Sequence, residues 1–165
     1  MRLASFESIA QALHDASVRY LIAGGLAVNA HGYLRFTKDV DVVLQLEGAN
    51  VRRALAALAA LGYRPAIPVR IEEFADPAKR RTWVTEKGMQ VFQLWSDAHV
   101  ETPIDVFVDE PFPFDEEYGR ALVRPLGPGL DVRFVSIATL IRMKDAADRE
   151  QDRIDIANLR LKLDE

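Results

Sequence analysis

The run Lys38-Asp39-Val40-Asp41-Val42-Val43-Leu44 constrains this chain more than any other segment. It is β-branched and bounded by polar residues, so it reads as a strand. Side chains on a strand alternate between faces. Val40 and Val42 therefore point toward a core, while Asp39 and Asp41 share the other face with Cα atoms roughly 6.6 Å apart. Like charges so placed repel, and burying them uncompensated is expensive, so the pair faces water or shares a cation. Mg²⁺ suits such a pair, with Mn²⁺ as the alternative: Mg²⁺ takes oxygen ligands, often only one or two carboxylates, and completes its shell with phosphate oxygens and water. The plain alternative is an exposed acidic pair at a strand start with no function.

Composition narrows the setting of that strand. The chain has 165 residues, 49% of them hydrophobic, which is enough to build one core and predicts a single domain over residues 1–165. It has no Cys, which excludes thiol nucleophiles, zinc ribbons and disulfide scaffolds. The apolar runs are shorter than the roughly 20 residues of a membrane span, so no membrane partner and a cytoplasmic location are expected. The formal charge of −4 argues against a surface that attracts nucleic acid as a whole, while leaving room for a local basic patch.

The remaining elements follow from spacing and punctuation. Phe6, Ile9, Ala10 and Leu13 mark a helix with Ser5 as its cap, and Arg19 to Ala23 is a short strand ending in the turn Gly24-Gly25. A short helix is predicted from Leu26 to Gly32, and an Ala/Leu-rich helix from an Asn50 cap to Gly62. Asp76-Pro77 opens a helix toward Lys87. Gln90–Trp95 and Ile104–Val108 read as strands suited to antiparallel pairing, and Leu122–Leu126 with Val132–Val135 as a hairpin about Gly127-Pro128-Gly129. Ser136 caps a helix through Ala147, the acidic Asp115-Glu116-Glu117 opens a short helix, and a last helix runs from Asp152 to Leu163. Hairpins mixed with helices predict an α+β (α/β-like) chain with a mixed central β-sheet and flanking helices.

Three further features bear on the acidic pair. Gly24-Gly25 allows close approach of backbone to a phosphate at a helix start, or is simply a turn. Asp105 places one carboxylate inside the apolar run Ile104-Asp105-Val106-Phe107-Val108, where a core strand has little reason to carry charge. If its strand lies beside that of Asp39 and Asp41, three acids could hold one or two divalent ions about a phosphoryl centre, with Asp105 drawing the proton from an incoming hydroxyl. Otherwise Asp105 is a strand-edge carboxylate.

Together these motifs resemble the nucleotidyltransferases of the DNA polymerase beta type: a small-residue turn at Gly24-Gly25, a carboxylate pair at Asp39-Val40-Asp41, and a third carboxylate at Asp105. The stretch from Gly24 to Asp41, with Arg35 and Thr37 ahead of the pair, resembles the AbiEii-type toxin branch. A late block, Met143-Lys144, Arg149 and Asp152-Arg153-Ile154-Asp155-Ile156, is similar to the Lys, Arg and Asp-x-x-Asp block of that group. The resemblance covers roughly Tyr20 to Leu159. It implies the nucleotidyltransferase fold, a nucleoside triphosphate substrate, and attack of an acceptor hydroxyl on the α-phosphate with release of pyrophosphate. It further implies metal ligation by Asp39, Asp41 and Asp105, backbone contact of Gly24 and Gly25 with phosphate, and a phosphate contact for Lys144. The acceptor stays open among RNA or tRNA, a protein hydroxyl and a small molecule, and a toxin role would imply an antitoxin partner. Most of the superfamily has Gly-Ser in the first turn; here Gly25 supplies no hydroxyl, as in the toxin-like and lincosamide-modifying branches.

Arg35 and Lys38, just ahead of the pair, either neutralise triphosphate charge or pair with nearby acids. Lys144, at helical spacing from Leu140 and Ile141, either snorkels from a buried face or reaches phosphate, oriented by Asp152 and Asp155. Asp152 also suits a helix cap. Lys79-Arg80-Arg81 with Trp83 reads as a solvated helix face or an RNA contact. His14, His31 and His99 lack the spacing of a metal set. The strand of Asp39 is also similar to the first motif of haloacid-dehalogenase-like phosphatases, but the later acidic site those enzymes need is missing. A non-catalytic nucleotide- or partner-binding module on the same fold is the remaining alternative.

Overall fold

The computed structural model describes residues 1–165. In chain order the elements are α1 (Leu3–Asp15), β1 (Tyr20–Ile22), α2 (Gly24–Ala30), β2 (Val40–Leu44), α3 (Gly48–Ala60), β3 (Arg64–Pro65), α4 (Pro77–Lys87), β4 (Val91–Trp95), β5 (Ile104–Phe107), α5 (Phe114–Arg120), β6 (Leu122–Gly127), β7 (Leu130–Phe134), α6 (Ile137–Ala147) and α7 (Glu150–Leu163). Short 3₁₀ turns lie at Ile71–Ala75 and Asp97–His99. No helix is long and apolar enough to cross a membrane.

All seven strands join one sheet in the order β3-β4-β5-β2-β1-β7-β6. β2 pairs antiparallel with β1 and parallel with β5, and β1 pairs parallel with β7, so the sheet is mixed as expected. β4 and β5 pair antiparallel, and β6 and β7 form the hairpin. Alternation decides which residues enter the core: Val40, Val42, Ile104, Val106, Phe92 and Leu94 are all buried on one side of the central strands. One contiguous core of 37 buried residues continues from there into α1, α3, α6 and α7.

Four helix starts differ from expectation: α2 opens at Gly24 rather than Leu26, and the other three turn on caps. Ser5 is not the cap of α1 but lies inside it, buried, with its hydroxyl against His99 Nδ1 at 2.9 Å. Asn50 is not the cap of α3 either. Glu47 takes that position and accepts from the Ala49 and Asn50 amides, while the fully buried Asn50 side chain bonds Arg19 and the Gln45 carbonyl. α7 begins two residues before Asp152, whose carboxylate reaches back to the Arg149 amide from the first turn. Caps are short-range signals, and in each of these three cases a polar side chain good at capping found a tertiary partner or a neighbouring amide instead. Where no such competition arose, Asp76 and Ser136 cap α4 and α6 as read.

The basic run splits between the core and the solvated face. On α4, Arg80 and Trp83 are three residues apart and share the inward face. Trp83 stacks on Phe92 in the core with centroids 5.3 Å apart, and Arg80 donates to the Phe74 carbonyl at 2.5 Å. Lys79 pairs with Glu73 at 2.6 Å. Lys79 and Arg81 are both exposed, so two of the three basic residues lie on the solvated face and Arg80 alone turns inward.

Candidate functional site

The parallel register of β2 and β5 sets Asp41 directly opposite Asp105. Neighbouring strands stand about 4.8 Å apart, and residues in register share a face, so the two carboxylates are side by side. Asp39 lies one residue before β2 and on the same face as Asp41. The third strand adds a residue that local reading did not single out: Gln93 of β4 is in register with Asp105 and donates to its Oδ1 at 3.1 Å.

The turn after β1 is fitted to this group. The Ala23 amide donates to the Asp41 carbonyl at 3.0 Å, which holds Gly24 beside the Asp41 side chain. Gly24 has φ +60°, and a Cβ there would overlap the Asp41 carboxylate, lying 2.6 Å from its Cγ. Glycine is required at that position by conformation and by space. Gly25 is glycine for space alone, since a Cβ there would meet Thr37 Oγ1 at 2.6 Å and Arg35 Nη2 at 3.1 Å.

Gly24, Asp41 and Asp105 face a cleft of about 730 Å³. Lys144, Arg149 and Arg142 from α6 and the start of α7 line its basic side, Met89, Phe107, Leu140 and Met143 its apolar wall, and Asp109 and Glu110 its rim. A second groove of about 790 Å³ runs past Tyr63, Arg64 and Ser96 and holds none of the expected residues.

Electrostatics separates the acids. Burial, then Asp105, then Asp39 push the Asp41 carboxyl up to about 7, only partly offset by Lys144 and Arg149. Burial and Asp39 likewise raise Asp105 against the hydrogen bond from Gln93. One oxygen of Asp39, Oδ1, is buried without any hydrogen-bond partner. The carboxylates lack enough positive charge of their own. An orphaned carboxylate oxygen, two raised neighbours and a turn with no Cβ fit a hard divalent cation with oxygen ligands. No three His, Cys, Asp or Glu side chains converge as a ready-made ligand cage, so a cation here needs ligands from a substrate as well.

The late block forms a cluster of buried ion pairs. Lys144 is 5% exposed and its Nζ lies 2.7 Å from Asp155 and 3.3 Å from Asp152. Asp155 is completely buried and also binds Arg35 through Nε and Nη2, each at 2.9 Å, and Gln151 at 3.0 Å. Burial would raise the Asp155 carboxyl, but the donors Lys144, Arg35 and Gln151 outweigh it and hold it below the usual range. Arg149 binds Asp152 at 2.8 Å yet is largely exposed to the cleft. The structure therefore brings Gly24, Asp41, Asp105 and Lys144 to one cleft; Asp39 shares the face of Asp41 but does not line the cleft. Arg35 is placed behind the site with its guanidinium on Asp155, Gly25 lies under Thr37, and Lys38 is exposed to solvent.

No protein-family model matches this chain, and no curated protein matches it. Among solved structures it is similar to the lincosamide antibiotic adenylyltransferase LnuA bound to lincomycin, with a TM-score of 0.57 and 14% identity over 89% of each chain. It is also similar to ANT(2")-Ia in complex with adenylyl-2"-tobramycin, with a TM-score of 0.54 and 17% identity over 95% of this chain and 86% of that one. At such identity the likeness concerns architecture, and the seven-stranded mixed sheet with its flanking helices is the nucleotidyltransferase fold.

Proposed function

We propose that this protein transfers a nucleoside monophosphate from a nucleoside triphosphate to the hydroxyl of a small molecule, with Mg²⁺ held at Asp39, Asp41 and Asp105. The observation that carries the reading is the in-register Asp41–Asp105 pair, short of positive charge and set against the Gly24 turn at the floor of a cleft. Where bound, the cation neutralises phosphate charge and lowers the cost of forming the attacking alkoxide. Asp39, Asp41 and Asp105 would hold the cation, together with oxygens of the substrate.

The chain's own groups account for the rest. Gln93 occupies Asp105 Oδ1, which leaves Oδ2 to accept the proton of the acceptor hydroxyl. The acceptor oxygen then bonds the α-phosphorus while the bond from that phosphorus to the bridging oxygen breaks, and the electron pair leaves with pyrophosphate. Arg149, on the basic side of the cleft, meets the departing charge. Lys144 uses two of its N–H groups on Asp152 and Asp155, and the third serves phosphate. Backbone amides at Gly24 and Gly25, neither of which carries a side chain of its own, are available to the phosphates.

A small-molecule acceptor is favoured by the cleft rim. Asp109 and Glu110 stand there exposed, and they would repel the backbone of an RNA. The solved neighbours carry lincomycin and adenylyl-tobramycin, which supports the same choice. The test is transfer of label from each of four α-labelled nucleoside triphosphates, with Mg²⁺, into a panel of hydroxyl-bearing small molecules and, in a second arm, into total RNA. The folded Asp39→Asn/Asp41→Asn variant runs in parallel. Label in a small molecule that the variant fails to produce supports the proposal. Label only in RNA replaces the acceptor and favours a toxin-like role with an antitoxin partner. No transfer, with no Mg²⁺-dependent nucleotide binding by calorimetry, leaves a non-catalytic module.

A further inference from the structure

The segment between α2 and β2 alternates strictly: Leu34, Phe36 and Lys38 are exposed, while Arg35 and Thr37 turn inward. It is anchored without belonging to the sheet. The Arg35 amide donates to Asn29 Oδ1 at 3.0 Å, and the Arg35 guanidinium is held by Asp155. Thr37 is thereby fixed over the bare Cα of Gly25. Its Oγ1 and Cβ lie 2.6 and 2.9 Å from the place a residue-25 Cβ would occupy, closer than real Cβ atoms come, so Thr37 fills the volume that a side chain at position 25 would take.

The chemistry at that point is specific. Thr37 Oγ1 makes one long hydrogen bond, 3.4 Å to the Asp39 carbonyl, and no carboxylate holds it. A hydroxyl so weakly engaged can rotate and donate elsewhere. Gly24, which lines the cleft and is packed on the Asp41 carboxylate, is the residue before Gly25, so the Thr37 hydroxyl lies one residue along the backbone from the acidic pair. A side chain wanted only as a plug would not need an oxygen facing the turn; a valine has the same shape.

We propose that the Thr37 hydroxyl donates a hydrogen bond to the polyphosphate of the bound nucleoside triphosphate, supplying from the loop before β2 the hydroxyl that Gly25 lacks. The inference rests on the nucleotidyltransferase reading above and adds a binding residue to it. Three variants test it, each measured for Mg²⁺-dependent binding of the four nucleoside triphosphates by calorimetry, for KM and kcat, and for melting temperature. Thr37→Val keeps the shape and removes the oxygen; it weakens binding about tenfold and raises KM with kcat and melting little changed. Gly25→Ser/Thr37→Ala moves the hydroxyl across the vacated volume and restores binding. Gly25→Ala/Thr37→Ala refills the volume without an oxygen; it restores melting relative to Thr37→Ala but not binding.

Binding by Thr37→Val equal to wild type overturns the proposal alone, as does equal binding by the two double variants. Absence of nucleotide binding by the wild-type chain overturns the nucleotidyltransferase reading and this inference with it. Should the double variants fail to fold, Thr37→Val decides by itself.

Discussion

Two groups of aspartates sit close together in this molecule and differ in almost everything but residue type. Asp39, Asp41 and Asp105 lie on and beside adjacent parallel strands with only Gln93 as a direct side-chain donor, and Asp41 is pushed up to about 7 by burial and by its neighbours. Asp152 and Asp155 lie one helical turn apart on α7, and each is buried among cations: Lys144 and Arg149 for the first, Lys144 and Arg35 for the second. Burial disfavours the charged form in both groups, but in α7 the hydrogen-bonded partners more than compensate and both carboxyls are held low. The paired group is a strut joining α6, α7 and the loop before β2. The unpaired group is electrostatically incomplete, a condition that destabilises the empty protein and favours a bound cation.

The sharpest way to break this contrast is Asp41→Asn. It is expected to lower transfer by about a thousandfold or more, as loss of a group that stabilises developing charge does, and at the same time to raise the melting temperature near neutral pH. Activity assay and thermal melting on one preparation read both; a loss of stability would show that Asp41 belongs with the struts.

Asp155→Ala should do the reverse. Removing the fully buried partner of Lys144 and Arg35 strands two cations and costs about 3–5 kcal/mol of stability. Urea denaturation measures it, and a cost below about 1 kcal/mol would mean that the pairing contributes little beyond what water would supply.

The two groups also predict opposite slopes of stability against pH. Asp41 holds its proton in the folded state up to about 7 but in the unfolded chain only to about 4, so between those values the native state binds more protons and stability falls as pH rises. Asp152 and Asp155 are held low, so their contribution is present above about 4 and is lost as pH falls through their lowered folded-state values. A melting-temperature profile should therefore peak in the weakly acidic range, and in Asp41→Asn the decline toward neutrality should flatten. If Asp41 holds Mg²⁺ as proposed, it must be ionised to do so, and Mg²⁺ affinity should strengthen through the same interval.

The smallest effect is reserved for an aspartate that resembles the strut group in sequence but not in setting. Asp148 pairs with Arg153 at 2.9 Å in full contact with water. Asp148→Asn should leave melting unchanged, because an exposed pair is screened and asparagine tolerates the left-handed φ of 49° at that position.

The sequence made much of the fold legible, because the signals are local. Pro77 behind Asp76, Ser136 ahead of α6, and the Gly127-Pro128-Gly129 turn each act within a few residues, and the elements they bound are present. The acidic pair was equally legible from period-two alternation. Ser5 and Asn50 were misread as caps because their side chains serve partners 94 and 31 residues away, which no window on the chain reveals. Gln93 escaped for a related reason: a polar residue in Val-Phe-Gln-Leu-Trp is unremarkable until the β4–β5 register puts it against Asp105.

Alternation and composition thus settled which residues could share a face, that six of the seven strands would form, and that acids interrupted two of them, because backbone stereochemistry imposes those patterns residue by residue, whereas the two-residue β3 is too short to carry a pattern. That Asp105 stands beside Asp41, that Asp155 clamps Arg35 and Lys144, and that Thr37 covers Gly25 were decided only when β2 paired with β5 and α7 packed on α6. Those contacts join residues 11 to 120 positions apart. Their formation depends on the burial of one shared core, a property of the whole chain that no single segment contains.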